Sequence, residues 1–223
     1  MGVDLRLNAI VDPERAGGHS LAELARLCAE GGATLIQLRD KVDETRAMVA
    51  EARAIKQALA PYGVPLVVND RVDVALAAGA EGVHVGQDDM AAEDARRLLG
   101  PKAIIGLSIK SVEEANAAPI ELIDYVGSGG VFVTTSKEQK NKPIGPAGLA
   151  RIIDVLRGRA RTQHKYLPVC GIAGIDAGNA AEVIAAGADG VAVISALSLS
   201  SDPAGAARAL RAIVEATLAK RGA

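Results

Sequence analysis

From end to end, the chain alternates between short runs of β-type residues and stretches patterned as helices. The strand candidates are Leu5–Val11, Thr34–Arg39, Pro65–Asn69, Gly82–Val85, Ala103–Ser108, Asp124–Gly127, Leu167–Gly171 and Gly190–Ser195. Most are nearly continuous in Val, Ile and Leu, the pattern of strands covered on both faces. Between them lie amphipathic stretches, among them Ser20–Glu30, Glu44–Leu59, Ala92–Leu99, Pro146–Leu156 and Pro203–Lys220. Asp43 and Ser111 stand where N-caps belong, and Gly31, Gly79, Gly100 and Gly187 stand where helices end. Such alternation predicts an α/β fold on a parallel sheet. It fits a closed (β/α)8 TIM barrel and, equally, an open doubly wound sheet.

An internal repeat favours closure. Val74–Val85 resembles Glu182–Val193, with Ala-Ala-Gly-Ala-Glu-Gly-Val-His-Val in one and Ala-Ala-Gly-Ala-Asp-Gly-Val-Ala-Val in the other. The offset, 182 − 74 = 108 residues, is about half of the 223-residue chain. In each copy the first Gly ends a helix in the left-handed conformation and the second opens a strand. A half-chain repeat is natural in a barrel of approximate symmetry. The length is near the roughly 250 residues of one eight-unit barrel, so 1–223 is expected to be a single barrel domain.

Composition narrows the function. A net charge of −2 and an aromatic content of 2% exclude a basic stripe and a stacking platform, so no nucleic-acid partner is expected. No apolar run approaches the roughly 18 residues of a membrane span, and the start Met-Gly-Val-Asp-Leu-Arg lacks an apolar signal core. A cytoplasmic protein with no membrane partner is expected, and a homo-oligomer is compatible with these features. Cys28 and Cys170 have no metal-site spacing and read as small buried hydrophobes.

In a barrel, the chemistry collects where strands end and βα loops begin. Those positions hold a polar set: Gln37, Arg39 and Lys41; Asn69-Asp70; Gln87-Asp88-Asp89; Ser108; a long loop from Gly127 through Lys137; Gly171-Ile172-Ala173-Gly174; and Ile194-Ser195. Strand alternation points Gln37, Arg39 and Lys41 one way and Leu38 toward the helices. Each residue has an ordinary reading too: Arg39 or Lys41 as a solvated charge, Asp70 as a helix cap, Asp88 and Asp89 as an exposed turn, His84 as a structural strand histidine. The loops at 61–64 and 157–166, on the opposite face, read as plain connectors. What carries weight is that cations, acids, amides and hydroxyls converge at one end.

That set suits two phosphate-bearing ligands. Backbone N–H groups around Gly174 and Ile194-Ser195 suit a monophosphate. Arg39, Lys41 and Lys137 suit a more highly charged anion. Asp70 with an acid from Asp88 or Asp89 suits Mg²⁺, which takes one or two carboxylates plus substrate phosphate oxygens.

The motifs Gln-Leu-Arg-Asp-Lys at 37–41, Val-Asn-Asp at 68–70, Gly-Val-His-Val-Gly-Gln-Asp-Asp at 82–89, Gly-Leu-Ser at 106–108, Thr-Thr-Ser-Lys at 134–137, Gly-Ile-Ala-Gly-Ile at 171–175 and Val-Ile-Ser at 193–195 resemble, in order, those of the thiamine phosphate synthase family. The resemblance covers about residues 34 to 197. It implies a (β/α)8 transferase that joins a hydroxymethylpyrimidine diphosphate to a thiazole phosphate and releases pyrophosphate by a dissociative, Mg²⁺-assisted substitution. By motif, Gln37, Arg39, Lys41, Asn69, Ser108 and Lys137 would contact the pyrimidine diphosphate, with Lys137, Ser108 and Arg39 as the catalytic groups. Asp70 and Asp89 would bind Mg²⁺, Asp89 matching the second acid of the motif. Thr134, Ser136, Gly174, Ile194 and Ser195 would hold the thiazole phosphate.

Two departures stand out. Gly130 and Val133 replace prolines common in the family's strand-six loop, which predicts a looser loop. Ala173 replaces a glycine in the phosphate loop. A related thiazole tautomerase would share the barrel without the cations and metal acids, and a precursor-sensing barrel would not need those acids together with Lys137.

Overall fold

The computed structural model describes residues 2–135 and 142–222. Eight strands form a closed parallel barrel in chain order: β1 (Leu7–Val11), β2 (Leu35–Leu38), β3 (Leu66–Asn69), β4 (Gly82–Val85), β5 (Ile104–Ile109), β6 (Tyr125–Gly129), β7 (Val169–Ile172) and β8 (Gly190–Val193). Asn8 pairs with Leu35 on one side and Ala192 on the other, which closes the ring. The open-sheet alternative is thereby excluded. The helices are α1 (Leu21–Glu30), α2 (Thr45–Leu59), α3 (Val72–Ala78), α4 (Ala92–Leu99), α5 (Val112–Ala117), α6 (Gly145–Thr162), α7 (Ala180–Ala185), α8 (Ser195–Ser198) and α9 (Pro203–Gly222).

Strand alternation sorts the apolar side chains into two compartments. Leu38, Val68, Val83, Val85, Ile105 and Val191 face outward and meet helix residues such as Cys28, Ala52, Ile55, Ile153 and Val183 in one continuous mantle. Leu5, Ile10, Leu35, Val67, Tyr125, Cys170 and Ala192 form a second, smaller cluster filling the lumen. Leu38 thus faces the helices, as expected. Both cysteines are free and buried.

The repeat has a steric cause. A Cβ at Gly82 would overlap the carbonyl oxygen of Ile104, and one at Gly190 would overlap that of Leu5. Both glycines open a strand pressed against its neighbour. Gly79 is left-handed (φ 68°) and caps α3, and Gly187 (φ 110°) follows Ala186 at the end of α7.

At the mouth where the strands start, a polar residue just before each even-numbered strand reaches the N–H of the preceding strand. Thr34 Oγ1 accepts from Leu7 (3.1 Å), Glu81 from Leu66 (2.9 Å), Asp124 from Ile105 (2.8 Å) and Asp189 from Val169 (2.9 Å). The carboxylates are themselves held: Glu81 by Lys56 (2.8 Å), Asp124 by Arg96 (2.6 Å), and Asp189 by Arg157 (3.1 Å) and Arg221 (3.2 Å).

Three local expectations change. Helix α2 starts with Glu44, not Asp43, at the N-cap, because Asp40 Oδ1 gathers the N–H groups of Val42 and Asp43 into a turn ahead of it. Residues 157–162 are helical rather than part of a connector. Leu156 and Ala160 stay on the buried face of α6, and Arg159 donates to the carbonyls of Ala115 and Ala118, each at 2.7 Å. Strand β8 ends at Val193, and Ile194 introduces the short helix α8. Ser111 does cap α5, accepting from Glu114 N–H at 3.1 Å.

Candidate active site

At the opposite mouth, where the strands end, a cavity of about 450 Å³ opens. One wall carries Gln37, Arg39, Asn69, His84 and Ser108 from β2 to β5. The other carries Thr134 and Thr135, the Ala173–Asp176 loop, and Ile194 to Ala196. Eight residues expected from the sequence therefore share one cavity: Gln37, Arg39, Asn69, Ser108, Thr134, Gly174, Ile194 and Ser195. Ser136 and Lys137 lie outside the described residues.

Lys41, Asp70 and Asp89 gather beside this cavity rather than lining it. Lys41 Nζ pairs with the Asp70 carboxylate, and Asp89 Oδ2 accepts the N–H of Gly86 at 2.8 Å. Asp70 does not cap a helix: the N-cap of α3 is Arg71, and Asp70 itself is left-handed (φ 62°). Loss of water, and then the adjacent Asp70 carboxyl, raise the Asp89 carboxyl above its usual 3.8. Two carboxylates so placed repel each other, and a small divalent cation would relieve that repulsion. Among the described residues no group of three metal-ligating side chains occurs, so Mg²⁺ here would depend on substrate oxygens to complete its shell.

Arg39 is not a free surface charge. It donates to Asp12, a residue that sequence reasoning passed over; the pair's side chains are only 19% and 1% exposed. Asp12 Oδ1 also accepts the N–H of Glu14 at 2.9 Å, capping the turn Pro13–Arg15. From that turn Arg15 donates to the Thr135 carbonyl, joining the β1 and β6 loops across the mouth.

His84 belongs to the site as well as to the core. Its Nδ1 shares a hydrogen bond with Tyr125 OH (3.0 Å) and its Nε2 one with Ser108 Oγ (2.9 Å), and the ring lines the cavity. Burial holds the Tyr125 phenol well above its usual 10, so it stays protonated; Gln37 is also hydrogen-bonded to it. A protonated phenol can donate to Nδ1; in that tautomer Nε2–H donates to Ser108 and the serine hydroxyl proton is left for the cavity. The lumen makes room for this chain with glycine: a Cβ at Gly106 would overlap both the Tyr125 and His84 rings. A histidine flanked by glycines on β5 and β6 was the available sequence signal.

The described start of the strand-six loop is not loose. Val131 N–H donates to Ile172 O (2.9 Å), Phe132 N–H to Ala173 O (3.1 Å), Ile144 N–H to Gly130 O (3.0 Å) and Gly145 N–H to Val131 O (3.0 Å). Backbone pairing to β7 and α6 replaces the stiffness expected of proline. Ala173 is left-handed (φ 83°), the conformation natural to the glycine it replaces. Asn179 Nδ2 donates to Gly174 O (2.8 Å), tying that loop down.

A family profile described as thiamine monophosphate synthase matches residues 7–197. The thiamine-phosphate synthase of Agrobacterium fabrum is 50% identical over 219 residues, spanning 98% of each chain. That of Chloroflexus aurantiacus is 45% identical over 98% of this chain and 96% of its own. The structure of a thiamine phosphate pyrophosphorylase from Pyrococcus furiosus superimposes with a TM-score of 0.82 at 39% identity, over 97% of this chain and 98% of that one. With the closed barrel and a cavity that gathers eight of the expected residues, these likenesses establish that the chain belongs to the thiamine monophosphate synthase family of transferases.

Proposed function

We propose that the cavity carries out thiamine-phosphate synthesis by binding a hydroxymethylpyrimidine diphosphate on the β2–β5 wall and a thiazole phosphate on the β6–β8 wall. The observation that carries this reading is the division of the walls. Cation, amide and hydroxyl side chains stand on one, and backbone-rich loops at Gly174 and Ile194-Ser195 stand on the other. The short helix α8 begins at Ser195, in the position where this fold usually holds a monophosphate.

In this reading Gln37 and Asn69 orient the pyrimidine, and Ser108 donates the proton that His84 leaves available. Arg39, Lys41 and Lys137 surround the diphosphate. As its C–O bond ionises, negative charge collects on the departing pyrophosphate, where fixed cations stabilise it more than they stabilise the bound substrate. Asp70 and Asp89 would hold Mg²⁺, which supplies further positive charge to the leaving group when bound. Thr134, Ser136, Gly174, Ile194 and Ser195 hold the thiazole phosphate so that the ring nitrogen faces the electron-poor methylene carbon. No side chain need act as a nucleophile; the site contributes position and charge. Among the described residues no helix is long and apolar enough to cross a membrane, and we assign the reaction to the cytoplasm within one barrel domain.

Incubation of purified protein with both phosphorylated precursors and Mg²⁺ tests the reading. Thiamine phosphate and pyrophosphate are expected in equal amounts. Binding of thiazole phosphate with no product would overturn it. Lys137→Ala is expected to lower the single-turnover rate far more than thiazole-phosphate affinity, and equal loss in both would remove Lys137 from the leaving group.

A further inference from the structure

We infer that Asp12 is a positioning residue for the diphosphate, acting through Arg39; this rests on the reading of Arg39 as a diphosphate ligand. Asp12 and Arg39 are the first residues past the ladder of β1 and β2, in which Val11 pairs with Leu38 and Arg39 N–H donates to Val11 O at 2.9 Å. They are therefore cross-strand neighbours, and the carboxylate meets Arg39 Nη1 at the cavity edge.

The Asp12 side chain is 1% exposed, yet its Oδ2 pairs with a cation that lines a ligand cavity. A buried ion pair adds little net stability, because desolvation offsets most of the attraction. Geometry is what such a pair supplies. With one guanidinium nitrogen engaged, the plane of Arg39 is fixed and the remaining N–H donors keep one direction into the mouth. A guanidinium is suited to this, since its fork can serve a carboxylate and a phosphate at once. Asp12 Oδ1 meanwhile caps the turn at Glu14 N–H, so the carboxylate cannot follow the arginine if that side chain swings away.

Asp12→Asn separates the two roles, because an amide oxygen can still accept from Glu14 N–H while the negative charge that faces the Arg39 guanidinium is lost. The expected result is a fall of about tenfold or more in kcat/KM for the pyrimidine diphosphate, the size usual when a liganding group loses its outer partner. KM for the thiazole phosphate should stay within about twofold, a split that general loosening of the fold would not produce. Asp12→Glu should recover part of the loss. In an Arg39→Gln background, Asp12→Asn should add nothing further.

If Arg39→Gln is impaired while Asp12→Asn is normal, or if the two losses multiply, the positioning role is overturned and the ligand role of Arg39 stands. A normal Arg39→Gln enzyme overturns both. If Asp12→Asn does not fold, the same comparison is made with Asp12→Glu. That variant should show a smaller loss confined to the pyrimidine diphosphate, and equal loss toward both substrates overturns the proposal.

Discussion

The two mouths of the barrel use the same side-chain types to opposite ends. Where strands begin, Glu81, Asp124 and Asp189 each spend their oxygens on a neighbouring strand's N–H and on a basic side chain of the protein itself. Where strands end, Arg39, Lys41, Asp70 and Asp89 are gathered around a cavity and its edge, with like charges side by side. At the first mouth each carboxylate is used up on the fold; at the second, the pairs Arg39–Asp12 and Lys41–Asp70 stand at a cavity and its edge. On the proposed reading, location on the strand more than residue type separates a stabilising carboxylate such as Asp189 from one proposed to bind a ligand, such as Asp89.

If that contrast holds, changes at the first mouth should cost folding. Gly82→Ala, which drives a Cβ into the carbonyl oxygen of Ile104, is expected to destabilise the protein by about 4 kcal/mol or more. Chemical denaturation would show it, and a near-normal unfolding midpoint would refute the close strand approach.

Changes at the second mouth can relieve strain. At Ala173 a left-handed alanine costs about 1–2 kcal/mol. Glycine there removes that strain but gives about 0.4–1 kcal/mol of extra freedom to the unfolded chain. Ala173→Gly should therefore raise stability by about 0.5 kcal/mol net, and a clear loss would show that the methyl group packs usefully.

The smallest effect concerns neither mouth. Burial pushes the Cys28 and Cys170 thiols up to about 12. A raised thiol keeps its proton, so almost no thiolate exists at pH 8 and reactivity grows only as pH climbs toward 12. Iodoacetamide should label neither cysteine at pH 8 in the native protein and both after unfolding. Rapid native labelling would place a cysteine in a looser setting.

Much of this was legible in the sequence. All eight strands fall within two residues of their expected limits, because a doubly covered strand must be an apolar run. The cavity residues were legible because a barrel places strand ends together. Pairings that depend on register were not. Asp12 meets Arg39 from 27 residues away, and the Tyr125–His84–Ser108 chain crosses β4, β5 and β6. Nor does the spacing of α6 reveal that Arg159 finds two carbonyls and so extends the helix past Leu156.

The division between mouths is tested most directly by measuring unfolding free energy and kcat/KM on two variants side by side. Asp189→Asn should lose about 2 kcal/mol of stability, having weakened a half-buried ion cluster and a strand N–H acceptor, with kcat/KM within about twofold of the parent. Ser108→Ala should lose about tenfold or more in kcat/KM while its stability stays within about 1 kcal/mol. If both variants lose stability and activity together, the two mouths do not divide the work.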